Sequence, residues 1–68
     1  ERNAAREVSS LATQAAGKIL ECRDRILDAM QYSAAQLYDS TISALDDAAP
    51  ICQEANTLVS DLVDSVEG

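Results

Sequence analysis

The chain has no histidine, no tryptophan and no phenylalanine. Without imidazole it lacks the usual general base, the usual metal ligand and any Ser-His or Cys-His nucleophile pair, so the expectation is a protein that is not an enzyme. Aromatic residues are confined to Tyr32 and Tyr38, too few for a sugar site or the core of a small sheet protein. Two glycines and one proline leave little turn chemistry. No apolar run approaches the about 20 residues that a membrane span needs. Nor is there an initiator Met, an apolar signal-like region or an Asn-x-Ser/Thr sequon, which fits a processed product or a piece of a longer protein.

What remains is short and acidic. Sixty-eight residues make a single domain at most, 1–68, and a chain of this size generally needs a staple, a metal or a partner to be stable. All five basic residues (Arg2, Arg6, Lys18, Arg23, Arg25) lie in the first 25 positions, against four acids there, for a charge of +1. Positions 26–68 carry eight acids and no base, a charge of −8. Such a chain is repelled by phosphate backbones and anionic lipid, so nucleic acid is not an expected partner.

The apolar residues are periodic. A strict heptad carried from Val8 along the whole chain puts Lys18, Arg25, Asp39 and Asp46 on its apolar seam and fails. An 11-residue repeat fits better: Val8, Leu11, Ala15, Ile19, Cys22, Ile26, Met30, Ser33, Leu37, Thr41, Ala44, Ala48, Cys52, Ala55, Val59, Val63 and Val66 advance by steps of three or four. None of these is charged, which predicts an all-α protein with one continuous apolar face. The 11-residue period resembles that of exchangeable apolipoproteins and other lipid-surface helices. The likeness is of period alone, since those proteins flank the apolar face with Lys and Arg and no base follows Arg25 here.

Pro50 is the strong helix breaker and predicts a break or kink at residues 46–50, with Asp47 capping a new helix. Gly17 weakens the first helix without ending it, Asp39, Ser40 and Thr41 form the other polar cluster able to hold a turn, and Gly68 suits a terminal cap. The expected architecture is an oligomeric, coiled-coil-like bundle of long amphipathic helices. A small three-helix bundle with turns near residues 22 and 48 is the alternative.

Motifs for chemistry are weak. Ala16, Gly17, Lys18 and Ile19 echo a phosphate loop but lack its upstream glycine and following Ser/Thr. The pairs Asp46 with Asp47 and Asp61 with Asp64 lie in no Gly-containing calcium loop and read as a solvated acidic face. No cofactor or metal is expected. Cys22 and Cys52 are 30 residues apart, no zinc spacing, and are the disulfide candidates. They suggest secretion or an extracellular setting; two buried thiols in a cytoplasmic helix are the other reading.

A hairpin turned at Pro50 would leave Val8 to Ile26 bare. An antiparallel pair of chains with residue i opposite 74 − i covers the whole stripe, brings Cys22 against Cys52 of the partner, sets large against small side chains and lays the +1 half along the −8 half. Val8, Leu11, Ile19, Ile26, Met30, Leu37, Val59 and Val66 are then the expected interface core. The function expected from these features is structural or interaction-based, the partner being the chain itself, an antiparallel dimer favoured, or another helical chain. Two further readings are a carrier of a small apolar ligand in a helical bundle, and an acidic inhibitor or decoy for a basic partner.

Overall fold

In the computed structural model residues 2–67 are described, with side chains from residue 5 onward. They form two helices, α1 (Arg2–Ala34) and α2 (Tyr38–Glu67), packed antiparallel as a hairpin about 52 Å long. The all-α expectation holds, and the described residues contain no strand. Gly68, read as a terminal cap, lies outside the described residues.

The reversal is at residues 35–37, not at Pro50. Leu37 N–H donates to the Tyr32 carbonyl at 2.9 Å and Gln36 N–H to that of Ser33 at 3.0 Å. These are the two bonds that close a helix C-terminus when the residue beyond its cap turns left-handed. Gln36 is that residue, with φ 61°. Thr41 N–H then donates to the Leu37 carbonyl at 2.9 Å and opens α2. The polar cluster Asp39, Ser40 and Thr41 is the first turn of α2, where Asp39 opposes the positive end of the helix dipole.

Pro50 lies inside α2, which is unbroken from Tyr38 to Glu67. It sits on the exposed side, where the Asp46 carbonyl that loses its helical donor can be solvated. Of the break or kink expected at residues 46–50 the break is absent, Asp47 caps no new helix, and the turn near residue 22 that a three-helix bundle requires is absent too. Because the chain reverses at its midpoint, α2 packs along the segment Val8 to Ile26, contrary to what a turn at Pro50 implies, although Ile19 and Ile26 themselves stay exposed.

Burial follows a heptad in each helix, not an 11-residue stripe. In α1 the facing positions are Val8, Leu11, Ala15, Lys18, Cys22, Arg25, Ala29 and Tyr32. In α2 they are Thr41, Ala44, Ala48, Ile51, Ala55, Leu58, Leu62 and Ser65. All of the α2 set are buried or half-buried, and outside it only Ser40 and Cys52 are covered to that degree in α2; in α1, Leu27 is half-buried off the seam. A 3.5-residue repeat keeps one seam aimed at a neighbouring helix, which a 3.67-residue repeat does not. The turn shifts the phase, so a heptad extended through it places Asp39 and Asp46 on the seam while each helix by itself keeps register.

The buried side chains are Ala15, Ala29, Ala44, Ala48 and Ala55, at 3–9% exposure. The large residues expected at the core are not there. Ile19 is 48% exposed, Ile26 47% and Met30 59%; Leu37, in the turn, Val59 and Val66 are exposed too, while Val8 and Leu11 are half-buried. Alanine lets two helix backbones approach closely but buries little area per contact. Gln36→Gly should raise the stability of the hairpin by about 1 kcal/mol, because glycine takes a left-handed conformation without the Cβ clash that glutamine bears. Thermal melts followed by circular dichroism would measure it, and an unchanged or lower midpoint would show that the turn is not strained.

Candidate interaction surface

Cys22 and Cys52 are disulfide-bonded to each other within the one chain, their Cα atoms 4.9 Å apart. The Cys22–Cys52 contact is thus made inside the hairpin, and the intermolecular clamp expected from sequence does not form. The physical reason is the turn: a reversal at Leu37 gives one chain the same pairing that two antiparallel chains would have. Closing a loop across a separation of 30 residues removes chain entropy from the unfolded state, an effect of about 4 kcal/mol.

Lys18 explains how a base is tolerated on the seam. Its side chain is 35% exposed, so the stem lies along the seam while Nζ reaches Glu21 Oε2 at 3.2 Å and Glu54 Oε2 at 3.3 Å. The hydrogen bond with Glu21, then that with Glu54, raises the Lys18 pKa above its ordinary 10.5. This contact also shows which flanks of the two helices share a side. Glu7, Gln14, Glu21 and Asp28 of α1 lie on the same flank as Ser40, Asp47, Glu54 and Asp61 of α2. Near the turn this side holds an open groove of about 330 Å³ lined by Arg25, Asp28, Tyr32, Asp39, Ser40, Ser43, Ala44 and Asp47. Among the described residues no group of three or more acids and cysteines is placed to hold a metal.

The opposite flank is apolar. It carries Ala12, Ile19, Ile26 and Ser33 from α1 and Leu45, Cys52, Val59 and Val66 from α2, bordered by Ser9, Ala16, Arg23 and Met30 on one edge and Ile42, Ala49, Asn56 and Val63 on the other. Ile19, Ile26, Met30, Ile42, Leu45, Val59, Val63 and Val66 are all exposed. Arg23 is the sole charged residue among these positions, and the disulfide crosses the hairpin here through Cys52. Sequence reasoning named Ile19, Ile26, Met30, Val59 and Val66 as interface residues; it did not name Leu45, Ile42 or Val63 among them. Leu45 is seven residues before Cys52, a signal the longer repeat passes over, whereas Val63 is on that repeat itself. No helix among the described residues is long and apolar enough to cross a membrane.

Replacing Cys22 and Cys52 together by Ser should lower unfolding free energy by about 4 kcal/mol, read as a fall in the urea midpoint that reductant reproduces in the wild type. A variant as stable as wild type would show that helix packing alone maintains the fold. Lys18 makes a second expectation. A base whose pKa is raised by folding adds stability that is fully present below its ordinary value of 10.5 and is lost as pH rises through the raised value. The stability difference between wild type and Lys18→Met should accordingly vanish above that pH, and a difference that persists would assign it to packing of the lysine stem. No protein-family model matches the sequence, and no curated protein or solved structure is significantly similar to it.

Proposed function

We propose that this chain is a disulfide-stapled interaction module, not a catalyst, whose apolar side binds another helical surface. The observation that carries the reading is the two-sided distribution of residues: one side of the hairpin exposes eight large aliphatic side chains and the other is lined by Glu7, Glu21, Asp28, Asp47, Glu54 and Asp61. Monomeric proteins rarely gather many exposed aliphatic side chains on one side, and such patches mark association surfaces. The paired cysteines favour an oxidising, extracellular setting. The absence of histidine from the sequence supports a non-catalytic role.

The acidic side favours a secondary reading as a surface that attracts a basic partner, since its carboxylates outnumber Lys18 and Arg25 there. The carrier reading has less support. The groove near the turn is lined by Arg25, Asp28, Asp39 and Asp47, a poor seat for an apolar ligand.

The test is chemical cross-linking of the protein in its native source material, comparing wild type with Ile26→Asp and with Asp47→Asn. Binding through the apolar side requires complexes that Ile26→Asp reduces at least tenfold, since a carboxylate would have to be buried unpaired, and that Asp47→Asn leaves intact. Complexes lost with Asp47→Asn, or weakened by salt but not by Ile26→Asp, would assign function to the acidic side instead.

A further inference from the structure

We infer that the occupant of the apolar side is a second copy of this chain, packed face to face about a two-fold axis that runs along the helices, so that α1 of each hairpin lies over α2 of the other. The inference rests on the reading of the apolar side as an interaction surface and names its partner.

Area is the first argument. A face 52 Å long and 14 Å wide has a footprint of about 700 Å², close to the about 800 Å² that each partner contributes to a stable protein interface. A single helix, about 10 Å across, would cover less of the face's width than a second hairpin does. Four antiparallel helices around a shared apolar centre then complete the layer that two helices with an alanine seam leave open.

Charge is the second argument, and it separates this occupant from others. Each chain carries −7, so two copies repel unless their acids are kept apart. Face-to-face packing turns both acidic sides outward to solvent on opposite surfaces of the dimer. A lipid surface is a poorer match, because only Arg23 on the apolar face can meet a phosphate headgroup.

The orientation follows from the difference between the helices. Every base of the chain is in α1, while α2 has seven acids and no base. A two-fold axis across the helices would stack α2 on α2 and bring Arg23 near its own copy. The axis along the helices instead sets each α1 against a base-free α2, with Arg23 beside the partner's α2 edge about one helical turn from the level of Asp46. Both turns then lie at the same end of the dimer.

Sedimentation equilibrium of the oxidised, purified protein tests the occupant. A dimer at micromolar concentration is expected, converted to monomer by Ile26→Asp or by Val63→Lys with helix content unchanged, and weakened at least tenfold by Arg23→Glu. Both Ile26 and Val63 are exposed in the hairpin, so either variant can fold if the other does not. A nitroxide attached at Gln31, near the turn and off the face, tests the axis: turns at the same end put the two labels far closer than the 52 Å length of the hairpin. A wild type that stays monomeric at millimolar concentration, a dimer indifferent to Ile26→Asp and Val63→Lys, or labels separated by the full length would each overturn the inference. If the purified protein is monomeric while source-material complexes still depend on Ile26, the interaction module stands and its partner is a different chain. A monomer that binds phosphatidylcholine vesicles assigns the face to lipid and overturns both.

Discussion

The rest of the structure depends on register, and register is held at the Cys22–Cys52 bond. The fully buried seam residues are all alanine, and the larger ones, Leu11, Ile51, Leu58 and Leu62, are only half-buried, so side-chain packing holds register weakly. A covalent tie near the middle of the hairpin fixes it. It places the reversal at residues 35–37, keeps Lys18 within reach of Glu54, and sets the acidic and apolar flanks on opposite sides along the full length. The tie also offsets two local costs, a glutamine in left-handed backbone and a proline within α2 two residues before Cys52.

Small seam residues have a second consequence. Close approach of the backbones leaves no room between the helices for Ile19, Ile26, Leu45 or Val59, whose β-branched or long side chains project from the flank instead. The fully buried residues are all alanine, while eight large aliphatic side chains stay exposed on one flank, unlike an independent globular core. The energy available from those exposed side chains, about 25 cal/mol per Å² of apolar area removed from water, is gained only on association.

Much of this was legible in the sequence, in pieces. The reversal 74 − i, which sets Cys22 opposite Cys52, holds for the bond that forms, while the large-against-small pairs expected with it do not, since Ile19, Ile26 and Met30 are exposed. What could not be read was that one chain makes it, because the turn has no sequence signal: Ala34, Ala35, Gln36 and Leu37 contain neither glycine, asparagine nor proline, and tertiary pairing imposes a conformation that local propensity opposes. Pro50 misleads in the opposite sense. Its penalty of about 3 kcal/mol is real, yet flanking helix on both sides and the bond at Cys52 override it. The heptad was rejected on Asp39 and Asp46 because the count ran through an unseen turn, and on Lys18 and Arg25 because long basic side chains can cover a seam with their stems.

The candidate surface was legible for a related reason. An 11-residue stripe and two heptads displaced by a turn select overlapping residues, Ile19, Ile26, Val59 and Val66 among them, since both track apolar positions at near-helical spacing. Where they diverge, the heptad assigns alanines to the seam and the aliphatic residues to the flank, and this division turns one broad apolar face into two surfaces with different tasks. The seam, whose fully buried residues are alanines, gains from the disulfide. The flank keeps its larger aliphatic side chains in water. Oxidation of Cys22 and Cys52 adds stability to the two-helix unit, while the apolar area of the flank is what any association would remove from water.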